Sequence, residues 1–182
     1  MENRTLALVA SFIAMAFVVM SYFVKKKSYY LIFQLLCIAF LVVSYFFTVQ
    51  FFAMVGLSVG ILRALIFFFY EKQEKEAPIY WSFIISGMTI CSYFMVNFWI
   101  LKTAQPLDIL CLIGLVMYAF IFRIRNLKIV RYTMLIPTML AILFNLLTSA
   151  AVFATLAYVF ELLANIVSIF KYHIFNKQDD RV

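Results

Sequence analysis

Apolar residues run along this chain in long stretches separated by short clusters of charge. A membrane-spanning helix needs about 20 apolar residues, because the hydrocarbon core is about 30 Å thick and each residue rises about 1.5 Å. Leu6 to Val24 fits one such span and stops at Lys25-Lys26-Lys27; with its basic cluster after the apolar run, it does not read as a cleavable signal peptide. Residues 29–70 hold 42 positions with one formal charge, Arg63. As one helix they would reach about 63 Å, twice the core, so they predict two spans with a tight turn near Thr48-Val49-Gln50. The charged loop Glu71 to Glu76 follows, and Pro78 suits the first turn of a fourth span, Ile79 to Leu101. Beyond the polar break Lys102 to Pro106 lies a short fifth span, Leu107 to Phe122, interrupted by Gly114. Residues 132–170 again carry one formal charge, Glu161, and split into spans six and seven near Thr148-Ser149.

The pattern therefore predicts an all-α polytopic membrane protein with seven transmembrane helices and a single integral domain. Within it the order span, basic loop, span, tight uncharged turn, long span occurs twice. A shift of about 101 residues superposes the two occurrences without a gap, matching Lys27 to Lys128 and Phe69 to Phe170. Both triplets begin on the same face, so the reading is a 3+1+3 arrangement of parallel triple-helix repeats: 5–70, a linker helix at 79–101, and 107–172.

Composition agrees with the pattern: 67% of residues are apolar, 13% are charged, and the mean hydropathy is +1.05. Soluble domains carry about 25% charged residues, so soluble classes fall away. The net charge of +7 acquires a meaning from placement. Twelve of the fifteen Lys and Arg lie on one side of the seven-span scheme and two, Arg4 and Lys102, on the other. Short basic loops stay in the cytoplasm, which predicts an outside amino terminus and a cytoplasmic carboxyl terminus. Eight of the eleven tyrosines (Tyr22, Tyr29, Tyr30, Tyr70, Tyr80, Tyr118, Tyr132 and Tyr172) fall near the same ends, as headgroup-level aromatics would. Cys37, Cys91 and Cys111 sit in apolar runs and read as lipid-depth thiols rather than a disulfide or metal set; with one histidine, His173 in the tail, no metal or cofactor is expected.

A charge at membrane depth costs about 2.5–3.5 kcal/mol on the mildest scale, which singles out Arg63 and Glu161. Under the repeat, Glu161 corresponds to Gly60, three residues from Arg63 and on the same helix face. The two are thus expected to face each other across the pseudo-axis, as a structural pair or as a substrate or proton-coupling site. Asn165, one turn beyond Glu161, lies on the same stripe and can bond either. Arg63 alone can instead snorkel to the headgroups. Gly56 and Gly60 make a small-xxx-small spacing, and Gly114 and Pro137 mark packing points or kinks. Gln34, Asn97 and Asn145 read as interhelical stitches, and the 22 phenylalanines as lipid-facing or core packing.

The segments "GILRALIFFFYEK" (Gly60 to Lys72), "ELLANIVSIFKYHIF" (Glu161 to Phe175) and "FRIRNLKIVRY" (Phe122 to Tyr132) resemble the YgjV-type bacterial inner-membrane proteins. That resemblance implies a bacterial inner (cytoplasmic) membrane location and carries no functional residues with it. In architecture alone the chain is also similar to SWEET and nicotinamide-riboside transporters. It departs from the former in having no Pro-Gln pair in its first span, which speaks against sugar as the substrate.

No phosphate-binding loop, zinc-protease pair or nucleophile elbow occurs, and no soluble domain is large enough for catalysis, so an enzyme is not expected. Nucleic-acid binding is not expected either. The expected partners are the lipid bilayer and a small-molecule solute, with a homo-oligomer left open. The leading expectation is a small-solute transporter or permease with its site between the two triplets. The alternatives are a non-transporting scaffold or accessory subunit, and an intramembrane enzyme or lipid-handling protein.

Overall fold

The computed structural model describes residues 2–47, 51–100, 106–148 and 152–174. Seven helices make up these residues, with no strand among them. They are α1 (Glu2–Phe23), α2 (Lys27–Phe47), α3 (Phe51–Lys72), α4 (Ile79–Phe94), α5 (Asp108–Ile121), α6 (Leu127–Thr148) and α7 (Val152–Ile169). The wider π-helical turns Met95–Ile100 and Phe170–Ile174 extend α4 and α7. The expected turn at Thr48-Val49-Gln50, most of the break at Lys102 to Pro106, Ser149 and the side chain of His173 lie outside the described residues.

Six helices are long and apolar enough to cross a membrane. With 14 residues, α5 reaches only about 21 Å, short of the hydrocarbon core. The bundle has lipid-protein polarity. Phe46, Phe83, Met139 and Leu146 are exposed on its flanks, and Trp99 is 83% exposed. Ser, Thr, Asn and Gln side chains of the same helices are buried inside. Since lipid tails do not drive helices together by the hydrophobic effect, these inward polar groups and close backbone contacts define which faces meet. Ser11 and Ser44 join α1 to α2 at 2.8 Å, and Ser82 donates from α4 to the Ala119 carbonyl of α5 at 2.9 Å.

α2 packs between α1 and α3, and α6 between α5 and α7. α1 meets α7, α3 touches α5, and α4 rests on α3 and α5. The chain order α1-α2-α3-α5-α6-α7 thus returns on itself, with α4 set against the α3–α5 seam. One end of the bundle carries the Lys25–Lys27, Lys72–Lys75 and Arg123–Lys128 connections; it is called the basic end below.

The glycines show where backbones come close. A Cβ on Gly56 would lie 2.9 Å from Leu115 Cδ1, at the α3–α5 crossing. Gly56 and Gly60 are both buried, so their stripe faces the bundle interior and is not an outer docking face. Gly114 and Pro137 meet each other: a Cβ at 114 would sit 3.6 Å from the Pro137 carbonyl and 3.9 Å from its Cβ. Neither residue interrupts its helix; α5 and α6 run through both positions. Because those distances are ordinary van der Waals contacts, Gly114→Ala is expected to be near neutral. Gly114→Leu has no room and is expected to lower stability by about 1–3 kcal/mol, read from unfolding in mixed micelles.

Several sequence-level placements are corrected. Tyr22 and Tyr30, expected at headgroup level, are fully buried, packed edge to face with ring centroids 5.8 Å apart. Tyr29, Tyr80 and Tyr132 do lie exposed. Cys91 is exposed on the flank while Cys37 is buried, and all three thiols are free. Lys27 and Arg131, counted among the loop cations, are buried within α2 and α6. Lys27 sits there by pairing with Glu71 at the end of α3, 3.3 Å away. Pro78 stands just before α4 with an extended backbone (ψ 145°) rather than inside its first turn.

Candidate functional site

Glu161 projects from the middle of α7 into the bundle and is 5% exposed. Its Oε1 accepts a hydrogen bond from the Tyr22 hydroxyl of α1 at 2.8 Å. Arg63, on α3, is 4% exposed. Its Nη1 donates a long bond, 3.4 Å, to the Leu115 carbonyl of α5, and its guanidinium lies over the rings of Tyr118 (5.1 Å) and Phe122 (4.6 Å). Arginine is suited to such seats, because its flat, weakly hydrated cation stacks on π faces.

The two charges do not form the direct pair that the repeat register suggests. Among the described residues the ion pair within 4 Å is Lys27–Glu71. Arg63 and Glu161 instead line one small cavity of about 30 Å³, with Gln34, Cys37, Tyr118 and Tyr158 among its other walls. That volume holds about two water molecules. Gln34 donates to Ser21 Oγ at 3.1 Å, tying the α2 wall to α1. A second cavity of about 40 Å³ lies further from the basic end, lined by Tyr45, Cys111, Phe144 and Asn145. The two share Leu57, Leu115 and Tyr158 as a common partition.

Asn165 is the other sequence candidate, and it bonds neither charge. Its Nδ2 donates to the Arg131 backbone carbonyl at 2.8 Å, joining α7 to α6. Beside it is a cluster that the sequence pattern does not single out. The Arg131 Nη2 donates to the carbonyls of Tyr22 (3.1 Å) and Val24 (2.8 Å), and the Tyr172 hydroxyl to that of Phe23 (2.8 Å). These are carbonyls that the end of a helix leaves without intrahelical donors. α1 has no basic residue in its last turn and no glycine cap; α6 and α7 supply both the donors and the positive charge. Arg131 also lies over the Tyr172 ring at 4.7 Å. At the opposite end, Asn97 in the π-helical turn donates to buried Asp108 of α5 at 3.2 Å.

No group of three or more His, Cys, Asp and Glu side chains able to hold a metal occurs among the described residues. Chemically, the cavity of Arg63 and Glu161 offers one acid, one guanidinium, two phenols (Tyr118 and Tyr158) and the Gln34 amide around water-sized space: equipment for binding and orienting a polar solute.

No curated protein and no solved structure matches the chain. Residues 5–175 match the family model of the Imp-YgjV bacterial inner membrane proteins, in keeping with the apolar, multiply spanning helices. With that match covering nearly its whole length, the chain belongs to the Imp-YgjV family of bacterial inner membrane proteins.

Proposed function

We propose that this protein is a small-solute transporter whose path runs between two parallel three-helix units. The observation that carries the reading is the pair of interior cavities in line, one of them holding both Arg63 and Glu161 at membrane depth. A charge buried in a spanning helix is costly, and in membrane proteins it marks solute or ion pathways. The 3+1+3 arrangement is supported by the neighbour order: each triplet has its middle helix between the other two, and the α1–α7 contact has its symmetric counterpart in α3–α5. Helix α4 then acts as the linker that restores the direction of the second triplet, and α5 as the short fifth span that brings the number to seven. Rocking one triplet against the other would open the cavities first to one side and then to the other.

Cys37 lines the inner cavity and is buried, so it serves as a built-in reporter. In a variant lacking Cys91 and Cys111, its reaction with a small methanethiosulfonate is expected to be slow at rest. The reaction should accelerate when the bundle opens, and the transported solute should slow it. A deletion strain is compared with its parent for uptake across a broad metabolite panel. Unchanged uptake together with a permanently unreactive Cys37 would leave the scaffold reading in its place.

Orientation has a separate test. With the three native cysteines removed, a cysteine replacing Lys75, exposed in the loop before α4, is expected to resist membrane-impermeant maleimide in intact cells and to label fully once they are permeabilised. Labelling in intact cells would reverse the assigned sidedness.

A further inference from the structure

The inner cavity holds two ionisable side chains of opposite sign that leave each other unbonded. Arg63 carries five N–H donors; it makes one long bond, to Leu115, and its buried Nε has no acceptor. Glu161 has acceptor sites on two oxygens, and the Tyr22 hydroxyl occupies one of them. They belong to different triplets, Arg63 to α3 and Glu161 to α7. Two opposite charges with no other task would gain most by closing on each other, since an unpaired buried charge is expensive. Here each is held back, the guanidinium by the Tyr118 and Phe122 rings and the carboxyl by Tyr22.

We propose that this cavity binds a small zwitterion, its carboxylate on Arg63 and its ammonium on Glu161, with its apolar remainder against Ile38, Leu41, Leu57 and Tyr158. This rests on the transport reading and names the substrate class. A carboxylate offers the guanidinium a two-point partner, and an ammonium supplies three donors to the acid. A solute with both charges neutralises both walls. One with a single charge leaves the other wall unpaired in a medium of low dielectric, so it is rejected. At about 30 Å³ the cavity holds water and no larger ligand, so entry separates α3 from α7. That separation is the movement of one triplet against the other.

The full-length protein in lipid nanodiscs is titrated with glycine, alanine, leucine and phenylalanine, and with the α-carboxamide and N-acetyl derivative of each. At least one free amino acid is expected to bind, with both of its blocked derivatives weaker by about tenfold or more. In Arg63→Gln the carboxamide should bind as well as the free acid, and in Glu161→Gln the N-acetyl derivative should do so. Should either variant fail to fold, Arg63→Lys and Glu161→Asp keep the charge and are expected to bind more weakly with the wild-type preference. The inference is overturned if no free amino acid binds, if a blocked derivative binds the wild type equally, if folded Arg63→Gln or Glu161→Gln keeps the wild-type preference, or if Arg63→Lys and Glu161→Asp bind without it. Proteoliposome uptake separates the two readings. A zwitterion that binds but is not moved removes the transport reading alone, while transport of another solute class without zwitterion binding removes the substrate class alone.

Discussion

Replacing Arg131 with alanine is expected to lower the unfolding free energy by about 2–3 kcal/mol and to release the end of α1. Hydrogen bonds from a charged donor are worth about 1.5–3 kcal/mol each, and a cation over an aromatic ring about 0.5–2. The simple sum for two carbonyl bonds and the Tyr172 contact is larger than the expected loss. Two effects reduce it. The Val24 carbonyl is only partly buried, so water can replace its lost donor, and polar contacts in membrane bundles average only about 0.6 kcal/mol because the unfolded chain finds partners too. The carbonyls of Tyr22 and Val24 nevertheless lose a charged donor held in place by burial, and that distinguishes Arg131 from a surface cation. Tyr172→Phe removes one hydroxyl bond at a more open position and should cost less than half as much. The check is unfolding in mixed micelles, with the reactivity of Cys37 as a second readout. Arg131 and Tyr172 tie α6 and the end of α7 to α1, so their loss should also speed labelling of the cavity thiol. Equal stability of wild type and Arg131→Ala would reduce the cluster to a passive contact.

Arg131 also shows where a linear pattern stops being informative. In sequence it closes the run Arg123, Arg125, Lys128, Arg131, and such a run reads as a loop that orients the protein. The helix begins four residues earlier, at Leu127, which carries Arg131 a full turn into α6 and onto the end of α1. The clue present in the sequence is its setting between Val130 and Tyr132, at the onset of an apolar run. Span limits were legible because they depend on length and hydropathy alone: α2 ends at Phe47 and α3 begins at Phe51, around the expected turn, and α6 ends at Thr148. Glu161 was legible for the same reason, as an acid in an otherwise apolar stretch. Its partner was not, because that depends on how α1 is rotated about its axis. Tyr22, with a ring suited to the interface, turns inward because the acid of α7 gives its hydroxyl a buried acceptor. Arg63 likewise turns toward the aromatic faces of α5, a choice that side-chain packing makes and spacing along α3 does not encode.

Two substitutions of Glu161 are expected to behave alike in transport and differently in folding. Glu161→Ala removes the acceptor of a hydroxyl whose residue is 0% exposed, so Tyr22 is left with a buried, unbonded donor at a cost of about 1–3 kcal/mol. Glu161→Gln keeps a carbonyl oxygen at nearly the same place, so the bond from Tyr22 survives and stability should stay within about 1 kcal/mol of wild type. What glutamine loses is the negative charge facing the cavity. If that charge binds the solute, both variants should lose uptake by at least about thirtyfold, since removing one partner of a buried charged contact costs about 2 kcal/mol or more. Tyr22→Phe completes the set: it keeps the ring packed on Tyr30, removes the donor, and leaves the carboxylate less firmly aimed. Its uptake should fall between that of wild type and Glu161→Gln, at nearly unchanged stability. Uptake is measured in the deletion strain carrying each variant, and folding by size-exclusion profile and micelle unfolding. Full uptake by Glu161→Gln would mean that the oxygen, and not the charge, is what Glu161 contributes; the acid would then serve to hold α1 against α7, and the solute path would have to be sought elsewhere in the bundle.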